Sequence, residues 1–336
     1  MKAIKFFAIT AMAAAMITSC STDDELSQSN YPSDNIIRVT AGVNNAKTRA
    51  DGAGTEMKND FSLTIVNKNT EKPELASKYS YTDKVFSKKS GDWACSETLL
   101  WQDSKTPVDI VAFAPAQEGK FNGVYDEGNT QPIQSIAYSV ADDQSTKSDN
   151  NDLLYYYAKD FNPGTSLVNK KLSIQFNHAF CMIDINVTLG TEFNKPEVLD
   201  DSPIVKVTLG GTKIEANVDV TKAATSVVTA SETAAATDIT TTKGTFDKAA
   251  DPEANAISRF SCIAIPQTVG ANTFKVSLMT AGKLYEWTSA EPVELKSGYR
   301  YTLKLSMGND VVLLKGGSIS ATPWTEITSD KPLETD

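Results

Sequence analysis

The sequence predicts an all-β chain, and three observations carry that prediction. Short runs rich in Val, Ile, Thr, Phe and Tyr recur along it, separated by clusters of Gly, Asn, Asp and Pro, the pattern of β-sandwich proteins. Several runs alternate apolar and polar residues with period two, as strands with one buried face do. Beyond the first twenty residues, little keeps the spacing of a helix.

The elements follow in chain order. Met1 to Cys20 carries Lys2 and Lys5, then an apolar run from Phe6 that ends in Ile17-Thr18-Ser19-Cys20. A basic start, a short apolar run and small residues before a cut site read as a secretory signal over residues 1–19. The run is too short to cross about 30 Å of hydrocarbon as a helix. Residues 20–35 form an acidic tether opened by Ser21-Thr22-Asp23-Asp24-Glu25. The first strand spans Ile36 to Val43, with Ile37, Val39, Ala41 and Val43 on its apolar face. A polar stretch from Asn44 to Gly54 follows it. Further strands are expected at Phe61 to Val66, Leu99 to Trp101, Val108 to Phe113, Ala137 to Val140 and Leu153 to Ala158. The break at Asn162-Pro163-Gly164 places a boundary between an N-terminal domain, 36–165, and a C-terminal domain, 166–336.

The second half opens at Leu172 with a strand whose apolar face is even-numbered through Phe180 and odd-numbered from Ile183 to Leu189. A one-residue slip swaps faces, so a bulge between Ala179 and Met182 is expected. Ile204 to Leu209 is another strand. Thr221 to Ala254 is rich in Thr and Ala and reads as weak strands on exposed loops. Clearer strands follow at Phe260 to Ile265, Thr273 to Met279, Leu284 to Thr288 and Tyr299 to Met307. The end holds Val311 to Lys315, Gly316-Gly317 and Ser318 to Ile327.

Composition excludes several classes of function. A net charge of -10 argues against nucleic acid and anionic membrane as partners. After Cys20, the cysteines are Cys95, Cys181 and Cys262, far apart and without metal spacing. Three is odd, so at least one is unpaired; small buried hydrophobes are favoured over the single bridge that an oxidising surface permits. The single histidine, His178, excludes a multi-histidine metal site. It lies on the even face of its strand and reads as a core-facing, hydrogen-bonded residue rather than a base. Asp142-Asp143 and Asp149 to Asp152 lack the spacing and glycine of a calcium loop and read as solvated. No nucleophile–base signature appears, and no catalytic residue, metal or cofactor is expected.

The Ile-Thr-Ser-Cys ending resembles a bacterial lipobox, which implies cleavage between Ser19 and Cys20 and acylation (palmitate) of Cys20. The acidic run after it resembles the export tag of surface lipoproteins of Bacteroidota. Other segments, in order, carry a wider resemblance. They are Lys47-Thr48-Arg49-Ala50, Leu100-Trp101, Val111-Ala112-Phe113-Ala114-Pro115 and Asp152-Leu153-Leu154-Tyr155. Next come Phe176-Asn177-His178-Ala179-Phe180 leading into Ile183-Asp184-Ile185-Asn186-Val187, and Ile265-Pro266-Gln267. Leu295-Lys296-Ser297-Gly298-Tyr299-Arg300-Tyr301 and Pro323-Trp324 complete the set. Together they resemble the fimbrillin family of Bacteroidota, the subunits of type V pili. That resemblance implies two tandem transthyretin-like β-sandwich domains after a lipoprotein signal peptide. It also implies an outer-membrane precursor held by lipid on Cys20 and cut by an Arg-specific protease. Loss of the first strand, 36–49, then opens a groove that the C-terminal strand of another subunit fills. The partners it implies are other pilin subunits, that protease, the outer membrane, and a host protein or glycan as adhesion ligand.

The residues make physical sense of this scheme. Arg49 is the arginine in a polar, Gly-flanked loop just after the first strand, and such loops are where proteases cut. A cut at Arg49-Ala50 frees the segment that holds Ile37, Val39, Ala41 and Val43. A sheet missing a strand is ready for strand addition. At the other end, Ile319, Ala321, Pro323, Thr325 and Ile327 alternate on one face, and Gly316-Gly317 ahead of them would let the strand swing. Pro323 cannot donate to a ladder, so either its nitrogen faces away or the donor is the Val311 to Leu314 run. The rival readings are a membrane-retained anchor and a monomeric surface glycan-binding lipoprotein. In the latter, Trp93, Trp101, Trp287, Trp324 and Tyr155 to Tyr157 would be stacking platforms; core packing of these aromatics is preferred.

Overall fold

The computed structural model describes residues 30–44, 55–57, 59–117, 136–146, 152–195, 197–308 and 315–324. Ser19, Cys20, Arg49, Ala50, the Val311–Leu314 run, Thr325 and Ile327 lie outside the described residues.

The first half is dominated by one sheet. β1 (Val39–Val43) is followed by β2 (Thr55–Glu56) and β3 (Phe61–Asn67). A short helix, α1 (Pro73–Lys78), starts on a proline, whose missing N–H has no partner to lose there. β4 (Tyr81–Lys89) and β5 (Asp92–Cys95) form a hairpin with a two-residue turn, Ser90-Gly91. Both turn residues have positive φ, which matches the right-handed twist of the strands. Then come β6 (Val108–Ala114), β7 (Ile136–Ser139), β8 (Leu154–Phe161), the one-turn α2 (Pro163–Ser166) and β9 (Leu172–His178). The strand order is β2-β1-β5-β4-β3-β6-β8-β9, and β1 also pairs in parallel with β9. The sheet therefore closes on itself through β1.

The second half adds thirteen described strands. They are β10 (Cys181–Leu189), β11 (Ile204–Gly210), β12 (Glu215–Val218) and β13 (Val228–Ala230). β14 (Ile239–Thr240), β15 (Thr242–Asp247), β16 (Ala256–Ala264) and β17 (Gln267–Val269) follow. β18 (Lys275–Thr280), β19 (Leu284–Thr288), β20 (Val293–Leu295), β21 (Tyr299–Met307) and β22 (Lys315–Pro323) complete the set. A five-stranded sheet, β15-β16-β10-β21-β22, and a four-stranded sheet, β14-β11-β18-β19, carry most of the second core. β7 leaves the first half to pair with β12.

Two cores result. One lies within the first sheet and includes Phe61, Ile110, Ala112, Ile174 and Phe176. The other joins the second-half sheets to Val111, Phe113 and Tyr155 of β6 and β8. β6 is buried along its whole length because its two faces serve different cores, and two-sided burial gives the continuous apolar run from Ile110 to Ala114 rather than alternation.

The structure revises two readings of the sequence. The face swap after His178 comes from a strand break, not a bulge: β9 ends at His178, the chain bends at Ala179-Phe180, and β10 starts in the other half's sheet. Pairing passes there from the first sheet to the five-stranded sheet. Leu99 to Trp101 is not a strand but an irregular segment with one bridge, Ile36 to Leu100. Within 221–254 the short strands β13, β14 and β15 and mostly exposed residues agree with the sequence reading, with Val227, Val228, Ile239 and Ala249 buried against the second core.

Candidate functional site

β1 sits in a slot with partners on both edges. On one side it pairs with β5 at Val39–Trp93 and with β2 at Gly42–Glu56 and Val43–Thr55. On the other it runs in parallel with β9, from Val39–Leu172 to Val43–Phe176. Leu172 N–H donates to the Arg38 carbonyl at 2.7 Å, and Asn44 N–H donates to that of Phe176 at 2.7 Å. The predicted face is the buried one: Ile37, Val39 and Val43 are 5%, 4% and 3% exposed, and Ala41 packs half-buried beside them. Fully burying three such side chains contributes about 5–9 kcal/mol before entropy, on the scale of a whole domain's net stability.

The residues before β1 are fixed as well. Ile37 N–H donates to the Leu99 carbonyl at 2.9 Å, and Trp101 N–H to that of Asn35 at 2.8 Å. The Tyr81 hydroxyl bonds both the N–H and the carbonyl of Leu100, at 3.0 Å each. Tyr81→Phe strands both groups and is expected to cost about 1–3 kcal/mol, measured by urea unfolding. Arg38 is ion-paired with Asp34. Its guanidinium and the Ile36 N–H hold the Asp34 carboxyl well below the usual carboxylate range.

The C-terminal strand is placed differently. β22 is the edge of its sheet and pairs only with β21 among the described strands. Ile319 is half-buried against the second core, while Ala321 and Pro323 are exposed. Gly316-Gly317 is not a linker ahead of the strand. Both residues lie inside β22, where the register shifts opposite Lys304-Leu305. Trp324 N–H donates to the Gly298 carbonyl at 2.7 Å. Successive residues alternate direction, so the Pro323 nitrogen faces away from β21 and costs the ladder nothing. That resolves the position of Pro323 within an edge strand.

Where β9, β21 and β22 meet, three side chains converge. The Trp324 ring stacks on His178 with centroids 3.8 Å apart and planes at 11°. Asp152 Oδ2 lies 2.5 Å from His178 Nδ1. His178 is core-facing and hydrogen-bonded, as its strand position predicts. Its pairing with Asp152, in the acidic stretch read as solvated, was hidden because the two lie far apart in sequence. Tyr138 nearby has its phenol pushed up to about 12 by burial, with Asp152 adding to the effect.

Cys95, Cys181 and Cys262 are free. Burial pushes the Cys262 thiol up to about 12, with the Asp184 charge adding to it. Burial likewise raises that of Cys181, reinforced by Cys262 and Asp152. Only thiolates react readily, so maleimide is expected to label half-buried Cys95 in the native chain and to spare Cys181 and Cys262 until denaturant is added. The aromatics proposed as sugar platforms pack inward instead. Trp93 meets Phe61 at 5.0 Å, Trp101 stacks on Phe161 at 6.0 Å, and Trp287 meets Phe274 edge-on at 6.3 Å.

Residues 48–324 match the family model described as Fimbrillin-like. The chain belongs to the fimbrillin-like family. Solved structures agree with this all-β fold. A candidate cell adhesion protein from Bacteroides ovatus is 15% identical, over 88% of this chain and 99% of that one, with a TM-score of 0.59. A second such protein, from Bacteroides uniformis, is 13% identical over 88% and 100%, at 0.55. A fimbrial protein from Bacteroides vulgatus is 16% identical over 86% and 99%, at 0.52. No curated protein matches the chain. The fimbrillin-like match begins at residue 48, past β1, and ends at Trp324.

Proposed function

We propose that this fimbrillin-like chain is a fimbrial subunit that polymerises by protease-triggered strand exchange and supports adhesion at the cell surface. The precursor is cut between Ser19 and Cys20, lipidated on Cys20 and carried to the outer membrane. An Arg-specific protease then cuts at Arg49-Ala50. The observation that carries this reading is the position of β1. It closes the first sheet between β9 on one side and β5 and β2 on the other, yet among the described strands it precedes every other, so one cut severs it from them all. Without β1, Leu172, Ile174 and Phe176 lose their apolar cover and the facing edge of β9 its hydrogen bonds. Such an edge captures an extended strand. The donor that fits is the C-terminal strand of another subunit, with Ile319, Ala321, Pro323, Thr325 and Ile327 in place of Ile37, Val39, Ala41 and Val43.

The test is intact mass with and without an Arg-specific protease, followed by native sizing. Loss of the segment through Arg49, with ladders afterwards and neither in Arg49→Ala, is the expected result. An uncut, lipid-bearing monomer would instead support an anchor subunit or a stand-alone glycan-binding lipoprotein.

A further inference from the structure

One strand serves both ends of the molecule. β9 pairs with β1 over Leu172 to Phe176 and with β8 only at Asn177 and His178. Among the described strands, then, β1 is the sole partner of the first five residues of β9. The two residues held by β8 include the ring on which Trp324 stacks. Trp324 directly follows β22 and is buried, whereas Ser318 and Ser320 to Pro323 are exposed. Its N–H goes to Gly298, whose own N–H donates to the Phe180 carbonyl at 2.9 Å, two residues past His178. Asp152 holds the imidazole at Nδ1 and lies just before β8. The end of β22 is thus fastened to the end of β9, and β9 depends on β1 for most of its pairing.

We propose that the Trp324–His178–Asp152 cluster is a latch that couples the two strands within one subunit: while β1 is in its slot the C-terminal strand stays docked, and when β1 leaves the strand is released. The proposal rests on the strand-exchange reading and deepens it, because groove and donor then become available on the same subunit in one event. A docked C-terminal strand also keeps an uncut precursor from donating early. The physical route is short. Loss of β1 leaves β9 with two paired residues, fraying reaches His178, and the stack that buries Trp324 opens. A ring stack of this kind contributes only modestly, so an edge strand fastened by it is poised rather than locked.

The test is amide hydrogen exchange, read by mass spectrometry, on the full uncut chain and two variants, so that it does not depend on cleavage. Trp324→Ala removes the latch. Thr40→Pro breaks the β1–β9 ladder, since Asn44 N–H points to β9 and period-two alternation puts that of Thr40 on the same edge. Both are expected to speed exchange in 315–323 at least tenfold while β10 and β16 keep native rates. The double variant is expected to add little to either, because both act on one contact. If Thr40→Pro unfolds the whole first core, which β3 reports, the milder Thr40→Gly takes its place. Faster exchange in β9 with native rates in β22 would overturn the coupling, and native β22 rates in Trp324→Ala would overturn the latch. Neither outcome bears on whether Arg49 is cut or ladders form, which the sizing experiment reads separately.

Discussion

Val39→Asp is expected to unfold the N-terminal core. Val39 is 4% exposed and is paired with Trp93 on one side and Leu172 on the other, so an introduced carboxylate has nowhere to reach water. The change forfeits about 1.5–3 kcal/mol of apolar burial and adds several kcal/mol for an unpaired buried charge. A loss of more than about 4 kcal/mol is expected, against a total domain stability of about 5–15 kcal/mol. Urea unfolding followed by tryptophan fluorescence reads it, since Trp93 and Trp101 both pack in this core. Thr40→Asp is the control on the same strand: Thr40 is exposed, and its change should stay within about 0.5 kcal/mol. Equal stability of the two variants would mean that β1 does not plug the core.

Ile319→Asp is expected to give the opposite split. In its own subunit Ile319 is half-buried on an edge strand whose other residues are largely exposed. The uncut monomer should lose no more than about 1 kcal/mol, in keeping with substitutions outside the packed core. Under the proposed strand exchange, the same position takes the place of a fully buried β1 side chain in the slot of a second subunit. The carboxylate then meets Ile174 and Phe176 without a partner, at a cost of several kcal/mol. Cleaved Ile319→Asp should therefore remain monomeric while cleaved native chain forms ladders, as native sizing reports. Native-length ladders from this variant would remove the C-terminal strand as donor.

The contrast between the two strands was partly legible in the sequence. The alternation Ile37, Val39, Ala41, Val43 is local, and it gives the buried face of β1 directly. The partners of β1 were not legible, because its parallel neighbour β9 lies more than 120 residues away and parallel pairing leaves no local signature. The same holds for the latch. Pro323-Trp324 and the His178 strand each stood out as motifs, but only the fold brings Trp324 onto the His178 ring and Asp152 to its Nδ1.

Other misreadings have a common cause, which is that alternation reports a face and not a sheet. Even-numbered burial through His178 and odd-numbered burial from Cys181 is what either a bulge or a strand break produces. The chain uses a break, and the two strands belong to different sheets. β4 was missed because six of its nine residues are half-buried, so no face stands out. β6 was found as a strand, yet which two cores its faces serve was not evident, because both are assembled from distant strands. Gly316-Gly317 looked like a hinge because glycine permits a swing, but in the fold the pair sits at a register shift within β22.

The most direct test of the central claim is a photo-crosslink from the slot itself. A photoreactive residue replaces Ser173, which lies opposite Thr40 on β9 and is only partly buried. The chain is then cut at Arg49, allowed to form ladders, irradiated and analysed by peptide mass, with a mass-labelled second preparation mixed in to mark intermolecular links. The account predicts links from position 173 to residues within 315–327 of a different subunit, and none to 36–43. Links to 36–43 in the ladders, or to 315–327 of the same chain only, would contradict it.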